Sequence, residues 1–252
     1  MRCFPSLRLA ALLNAHAAGA VEAGELTGWV VRPEVAHHVV DPEDRLGLES
    51  VDATPLTLAL PRLAAVEPET WVLALPVPGA LGGLRGPREL NQAALAAGEA
   101  VVGAGGGVAL VPYRVGPAIQ WRVFPAERPF LPAAPYDAER QLSEAVLRAG
   151  QVLQQLDVAA GPRPTEPELV LPPGYDRRSR ASADRAMRLL TACELAQADD
   201  GGSVSAYEAQ VRAAQLRSVR DAAREALCAA VTWPAAPRPT QPSTRRTVAI
   251  PD

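Results

Sequence analysis

The spacing of apolar residues changes near Pro125, and this change constrains the fold more than any other feature. Before Pro125, apolar side chains recur at every second position in the runs 56–60, 71–75 and 119–124, and 108–115 is a further apolar run of strand length. Alternation of this kind is typical of strands. After it they recur every three or four positions, which is typical of a helix face, at Leu142, Val146, Ala149, Leu153 and Leu156. The chain therefore predicts a sheet-containing part followed by a helical part.

The sheet-containing part begins with a predicted helix over 6–18, followed by a polar loop region over 24–50 with a short strand at 29–31. Strands at 56–60 and 71–75 come next. A helix is then predicted from about Pro87 to Val102, because proline is favoured at a first helical position. The glycine run 103–107 ends that helix.

The runs 108–115 and 119–124 flank Gly116-Pro117, which predicts a β-hairpin. Pro112 lies inside the first run and indicates an edge position or a bulge, since proline donates no ladder hydrogen bond. The strands thus occur in pairs with one helix between them. This order predicts an α+β fold with a mixed or antiparallel sheet and one or two packing helices.

The C-terminal part predicts about three helices. Asp137 is expected to cap the first, which runs to about Val158, and five prolines mark 161–174 as a linker. Helices over 176–198 and 205–231 are joined by a short loop and should pack antiparallel; Ser205 and Glu208 form a capping box. We therefore expect an α+β domain at 1–130, a helical domain or extension at 131–233 and a disordered tail at 234–252.

The chain contains no lysine, so all 25 of its basic residues are arginine. Schiff-base chemistry, Walker phosphate loops and the ATP-pairing residue of protein kinases all need a lysine amine. Arginine does not replace it, because its guanidinium stays protonated at neutral pH. The composition therefore excludes those enzyme classes, and codon usage in a GC-rich genome accounts for it.

No cofactor or metal is predicted. The glycine run follows a predicted helix, so the helix dipole there disfavours a phosphate. His37 and His38 lie among Glu34, Asp41 and other acidic residues, but they lack the spacing of a metal motif, and a polar loop is the preferred interpretation. The three cysteines form no paired motif. A cytoplasmic location without a membrane partner follows from the reduced cysteines and from the short N-terminal apolar run.

Two groups of polar residues are candidate sites. The first is a ligand-binding set that is expected to converge around the sheet: Arg88, Glu89, Asn91, Arg114 and Arg122. The second is an arginine cluster at the start of a helix, a candidate for contact with an anion or a partner: Arg177, Arg178, Arg180, Arg185 and Arg188. Interleaved Asp176 and Asp184 favour a solvated helix face over nucleic-acid binding. No catalytic residue is predicted.

Several short segments carry a resemblance: GPRELN at 86–91, GEAVV at 98–102, LVP at 110–112, WR at 121–122 and LPPGY at 171–175. On these the chain resembles a family of actinobacterial proteins of GC-rich genomes, over most of its length up to about Val231. The resemblance implies a source and no function. It carries over no catalytic or binding residue.

Two functions remain open at this point. The first is a non-catalytic cytoplasmic interaction or regulatory protein that binds another protein or itself, favoured by the missing catalytic motifs and the helical seam at 142–156. The second is a small-molecule-binding protein or an enzyme of unfamiliar type that uses the Arg/Asn set. The absence of motifs favours the first, although motifs say little about function on their own.

Overall fold

The protein's structure is a computed structural model that describes residues 4–26, 29, 36–48, 52–67, 69–156, 169–198, 203 and 205–234. Within these residues one sheet of six strands is formed by β1 (His37–Val40), β2 (Thr54–Pro55), β3 (Trp71–Ala74), β4 (Ala100–Gly103), β5 (Ala109–Val115) and β6 (Ala118–Phe124). The strand order is β2-β1-β6-β5-β4-β3. The pair β1–β6 is parallel and the other pairs are antiparallel. The predicted α+β class with a mixed sheet is confirmed.

The described residues include six α-helices: α1 (Pro5–Ala17), α2 (Leu56–Val66), α3 (Arg88–Ala97), α4 (Pro135–Gln155), α5 (Arg177–Ala196) and α6 (Ala206–Thr232). A short 3₁₀ turn lies at Ala23–Glu25. The predicted first helix and the last two helices are confirmed to within two residues at each end. The Ser205/Glu208 capping box at the start of α6 is also confirmed. Asp137 is not a cap, because α4 begins after Ala134 and Asp137 lies in its first turn.

The predicted strand at 56–60 is wrong, because this segment begins α2. The residues that α2 buries are Leu56, Ala59, Leu60 and Leu63. Their spacing of three, one and three positions is that of a helix face. Leu58, which the alternating pattern placed with the buried leucines, is 65% exposed.

The predicted helix from Pro87 to Val102 is also wrong over its last five residues. Pro87 is the N-cap of α3, and Gly98 ends the helix in the left-handed conformation at φ 78°. The next residues form β4, which is buried along its whole length. The glycine run 103–107 therefore connects β4 to β5 and does not lie at a helix end.

The predicted loop over 24–50 contains a strand. β1 pairs with β2 on one side and with β6 on the other, and its Val39 is fully buried. Two other predictions lie outside the described residues, namely most of the strand at 29–31 and the tail beyond Pro234. Most of the predicted linker also lies outside the described residues. Its last part packs against the core, with Leu171 buried, and so does Tyr175, which directly follows the linker.

The hairpin of β5 and β6 is confirmed, with Pro112 opposite Trp121. β5 is an internal strand, yet its ladder with β4 covers only Ala109 and Leu110. Pro112 therefore pairs with β6 alone, so the N–H that it lacks interrupts no second ladder.

Helix α1 lies between the sheet and the end of α6. Every residue from Pro5 to Ala15 is buried except Arg8. The buried carboxylate of Glu99 accepts a 2.8 Å hydrogen bond from the Ser6 N–H, which satisfies one of the free amides at the start of α1. A helix that is apolar on all sides belongs in a core, and this helix joins the two parts of the chain.

Asn14 connects α1 with β3 and α6. Its Nδ2 donates to the carbonyl oxygens of Trp71 (2.8 Å) and Val231 (3.1 Å), and its Oδ1 accepts from the Trp71 N–H (2.7 Å). The hydroxyl of Tyr175 donates to the same Val231 carbonyl at 2.5 Å. The helical part of the chain is thereby fixed directly on the sheet.

Candidate functional site

A cleft of about 580 Å³ opens where the start of α4, the start of α5 and the end of α6 meet. We call it the arginine cleft. Its walls are formed by Pro135, Tyr136, Glu139, Asp176, Arg178, Ser179, Ala181, Ser182, Arg185, Ala230, Trp233 and Pro234.

The start of α5 and its N-cap place five polar residues along one wall of the cleft: Asp176, Arg178, Ser179, Ser182 and Arg185. Asp176 caps the helix by accepting a 2.7 Å hydrogen bond from the Ser179 N–H, and this bond lowers the pKa of its carboxyl group. Arg178, Ser182 and Arg185 follow at intervals of four and three residues. Such intervals place side chains on one face of a helix.

Arg185 and Ser182 are committed to α4. The Glu139 carboxylate accepts hydrogen bonds from Ser182 Oγ (2.6 Å) and from Arg185 Nη1, which also donates to Ser143 Oγ at 3.0 Å. The positive charge of Arg185 is therefore balanced inside the protein. These contacts hold the two walls of the cleft together and leave little capacity for a ligand.

By contrast, the side chains of Arg178 and Trp233 have N–H donors that form no hydrogen bond within the described residues. The guanidinium of Arg178 lies over the ring of Tyr136, with Cζ 5.4 Å from the ring centroid, and the described residues give its N–H groups no hydrogen bond or ion pair. The indole Nε1 of Trp233 is buried and has no acceptor among those residues either. The cleft thus combines a guanidinium without a hydrogen bond, which the nearby Asp176 carboxylate attracts electrostatically, with two aromatic rings and an unsatisfied N–H group.

The structure divides the predicted arginine cluster. Arg178 and Arg185 line the cleft, whereas Arg177 and Arg188 are exposed and are not among its lining residues. Arg180 has a structural contact set: its guanidinium donates to the carbonyl oxygens of Tyr175 (2.9 Å), Leu171 (2.5 Å) and Pro172 (2.5 Å). It fixes the segment that leads into α5.

The other predicted set is spread over both sides of the sheet. Arg122 is opposite Val111 in the ladder, on the face that α3 covers, and its Cζ lies 5.2 Å from the centroid of the Phe124 ring. Arg114 is opposite Ile119 and lies on the other face. These two arginines therefore do not converge.

The remaining members of that set lie at the start of α3. Arg88 and Glu89 are exposed, and Asn91 is half-buried with its Oδ1 in the interior and without a hydrogen-bond partner. Their predicted role in ligand binding stays a prediction.

The other predicted polar groups have structural partners. The ring Nδ1 of His37 accepts a 3.1 Å hydrogen bond from Trp121 Nε1, and His38 follows on the opposite face of β1. Asp41 is 1% exposed and accepts from the N–H groups of Arg45 and Leu46. In the described part of the chain no three His, Cys, Asp or Glu side chains form a group able to hold a metal.

Two cysteines lie within the described residues and both are buried as free thiols. Burial raises the pKa of Cys193 to about 11 and raises the pKa of Cys228 further. Because a thiolate is the reactive form, neither thiol is suited to nucleophilic chemistry near neutral pH.

Three residues of the arginine cleft were not found by sequence reasoning: Tyr136, Glu139 and Trp233. Tyr136 and Glu139 belong to the first turns of α4, and Trp233 directly follows α6, about a hundred residues later. The sequence signal that could have found these residues is their position near helix ends. Aromatic side chains at such positions remain partly exposed and can line a cleft. This signal does not indicate which helix ends meet.

Comparisons with known proteins identify the family. Residues 6–138 match the family model described as Rv1486c-like protein, N-terminal domain, and residues 136–228 match the model described as Rv1486c-like protein, C-terminal domain. No match was found among curated proteins or among solved structures. No helix in the described ranges has the length and apolar character needed to cross a membrane. With its two matches adjoining at the start of α4, the chain belongs to the Rv1486c-like protein family.

Proposed function

We propose that the protein is a non-catalytic binding protein whose arginine cleft takes a small planar carboxylate. The observation that carries the proposal is the pair of donors without acceptors, Arg178 and the indole N–H of Trp233, on the same cleft. Of these donors only the indole N–H is buried, and a buried donor without a partner costs about 1–3 kcal/mol in proteins, whereas the guanidinium of Arg178 is exposed to solvent. A ligand that supplies acceptor oxygens removes this cost.

The chemistry of the cleft favours a planar anion. Tyr136 and Trp233 offer aromatic surfaces, and an aromatic or conjugated ligand packs well against such rings. The guanidinium of Arg178 matches a carboxylate in geometry, because its N–H groups are arranged as a planar fork. No catalytic step is included in the proposal, because the two carboxylates of the cleft, Asp176 and Glu139, are engaged in a helix cap and an ion pair.

The hypothesis of a protein–protein interaction through the helical seam receives less support. Ala145 and Ala149, which belong to the buried face of α4, pack against Cys193 of α5 and Val219 of α6. This face is therefore used inside the protein. Ligand binding in the arginine cleft is the better supported of the two hypotheses.

We also propose a cytoplasmic location and an actinobacterial source. The two buried free thiols support a reducing compartment. The arginine-only, alanine- and proline-rich composition supports a GC-rich genome. Neither proposal is needed for the binding hypothesis.

The test is calorimetric titration of the full chain with benzoate and indole-3-carboxylate, each paired with its uncharged carboxamide. We expect the carboxylates to bind and the carboxamides to bind at least tenfold more weakly. Arg178→Gln should weaken carboxylate binding by about 10- to 100-fold, since a hydrogen bond to a charged group contributes about 1.5–3 kcal/mol. Arg177→Gln is the matched control, because Arg177 is exposed outside the cleft, and should change binding less than twofold.

Trp233→Phe keeps an aromatic ring and removes the indole N–H together with the five-membered ring that carries it. We expect a loss of about three- to tenfold, in line with one neutral hydrogen bond. Equal binding by wild type, Arg178→Gln and Trp233→Phe would show that the cleft is not the site. Failure of every carboxylate in the panel to bind the wild-type protein would refute the proposal.

A further inference from the structure

A second pocket, of about 220 Å³, lies at the C-terminal ends of α1 and α2, away from the arginine cleft. It is lined by Leu13, His16, Ala17, Ala64 and Glu67. Three of these residues are apolar and two are titratable. The pocket shares no residue with the arginine cleft, so its role is independent of the function proposed above.

Glu67 is the principal polar group of the pocket. The residue is 8% exposed, and its Oε2 accepts a 2.8 Å hydrogen bond from the Gly105 N–H. Its Oε1 forms no hydrogen bond with the described residues, and the carboxylate forms no ion pair with them. The described residues therefore provide no cation to balance the charge of Glu67. Glu67 Oε1 is not among the fully buried atoms that lack a partner, so it faces the open side of the pocket, where a bound cation could reach it. A largely buried carboxylate is less well solvated than one on the surface, and this favours a counter-ion.

The glycine run at 103–107 allows the β4–β5 connection to close over this carboxylate. A Cβ atom at Gly105 would lie 2.9 Å from Glu67 Oε2, and one at Gly103 would lie 3.2 Å from the same oxygen. Side chains at these positions would displace Glu67 from the pocket wall. The run that resembles a phosphate loop in sequence thus positions a negative charge.

The helix ends add to the negative potential. α1 ends at Ala17 and α2 ends at Val66, and Glu67 is the C-cap of α2. The C-terminus of a helix carries a partial negative charge, which favours a cation within the last turn. Two such ends and one carboxylate therefore face the same pocket.

His16 supplies a second acceptor. Its Nδ1 lies 2.8 Å from the carbonyl oxygen of Val21, and because a carbonyl accepts, Nδ1 must carry the proton. In the neutral ring Nε2 is then an acceptor. The pocket consequently offers a carboxylate and an imidazole nitrogen beside the apolar surface of Leu13, Ala17 and Ala64.

We propose that this pocket binds a small organic ammonium ion, with Glu67 as its counter-ion, His16 Nε2 as a second acceptor and the apolar wall in contact with its alkyl chain. An ammonium group matches the site because it carries one positive charge and up to three N–H donors. A transition metal matches less well, since two protein ligands fall short of the three or four that zinc usually has. The chain itself has no lysine with which to fill the pocket.

The test is titration of the full chain with n-butylammonium chloride at pH 7.5 and low salt, followed by calorimetry and by the amide resonance of Gly105 in NMR. We expect saturable binding that shifts the Gly105 resonance, because its N–H donates to Glu67. Glu67→Gln keeps an oxygen that accepts from Gly105 and should weaken binding at least tenfold. Glu69→Gln is the matched control, since Glu69 is exposed two residues away, and should leave the affinity within twofold.

A second variant keeps the proposal testable if Glu67→Gln fails to fold. His16→Asn places an amide N–H near the position of Nδ1 and removes Nε2, and we expect a three- to tenfold loss of affinity. n-Butanol, which has the same alkyl chain without the charge, should not bind. The proposal is overturned if n-butanol binds as well as the amine, if neither variant weakens binding, or if Zn²⁺ binds at Glu67 and the amine does not.

Discussion

The contacts of Asn14 predict a large effect for the substitution Asn14→Ala. The side chain is 1% exposed and forms three hydrogen bonds, two with the backbone of Trp71 and one with the carbonyl of Val231. After the substitution Val231 keeps its bond from the Tyr175 hydroxyl, whereas both polar groups of Trp71 lose their Asn14 partner. At about 1–3 kcal/mol for each stranded group, the loss of stability is roughly 4 kcal/mol. That is a large part of the 5–15 kcal/mol that typically stabilises a folded protein.

The assay is urea unfolding followed by far-UV circular dichroism, with the free energy obtained by linear extrapolation. For a slope of about 3 kcal/mol per molar urea, the midpoint should fall by roughly 1.3 M. Asn91→Ala is the internal control, because the buried Oδ1 of Asn91 has no hydrogen bond to lose. That change should alter stability by less than about 1 kcal/mol. A midpoint for Asn14→Ala no lower than that of Asn91→Ala would refute the reasoning.

Three further predictions concern the turn, the thiols and the last helix. Gly106→Ala should destabilise the protein by about 1–3 kcal/mol more than Gly107→Ala in urea unfolding. Both positions have positive φ, but a Cβ at Gly106 would lie 2.8 Å from the Arg128 backbone nitrogen, and one at Gly107 contacts nothing. In a Cys3→Ser variant at pH 8, a thiol reagent should modify Cys193 and Cys228 of the native protein at least 100-fold more slowly than the same cysteines of the unfolded chain. The reason is that the pKa of Cys193 is about 11 and that burial blocks access of the reagent to both thiols. Equal modification rates would contradict this prediction. Ser205→Ala should lower stability by about 1 kcal/mol, measured by thermal melting, because the cap of α6 accepts the Glu208 N–H; no change would show that the cap is dispensable.

Local signals were sufficient to predict the helices of the C-terminal part. Asp176 and Ser205 lie where capping residues belong, and each accepts the expected hydrogen bond. The spacing of Leu142 and Ala149 correctly gave the buried side of α4. Such features depend on residues within one or two turns of each other, so they can be identified without knowledge of the fold.

The errors in the N-terminal part arose where two periodicities fit the same residues. Leu56, Leu58 and Leu60 alternate, but Leu56, Leu60 and Leu63 also recur as on a helix, and only the core decides between them. Likewise Ala97 and Val101 continue the helical spacing of Leu90 and Ala94, although Gly98 ends that helix. β1 was missed because the partner that orders it in the sheet, β6, lies some eighty residues along the chain.

The candidate sites show the same division between local and distant information. The arginine cluster was visible in the sequence, and two of its members, Arg178 and Arg185, line a cleft. Which arginine remains available depends on α4, because Glu139 engages Arg185 and leaves Arg178. The pocket at His16 and Glu67 joins helix ends that are fifty residues apart. No spacing rule relates two such residues.

The contact between Asn14 and Val231 has a consequence for how the protein is made. The two residues are 217 positions apart, and at about 5–20 residues per second a ribosome needs roughly 11–43 s to synthesise the chain between them. Throughout this interval α1 and the sheet lack the helix that completes their cover. Apolar side chains such as Leu12 are then open to water or to other nascent chains. The unfinished polypeptide is the form most prone to aggregation, and a mutation that stops translation before α6 would make that form permanent.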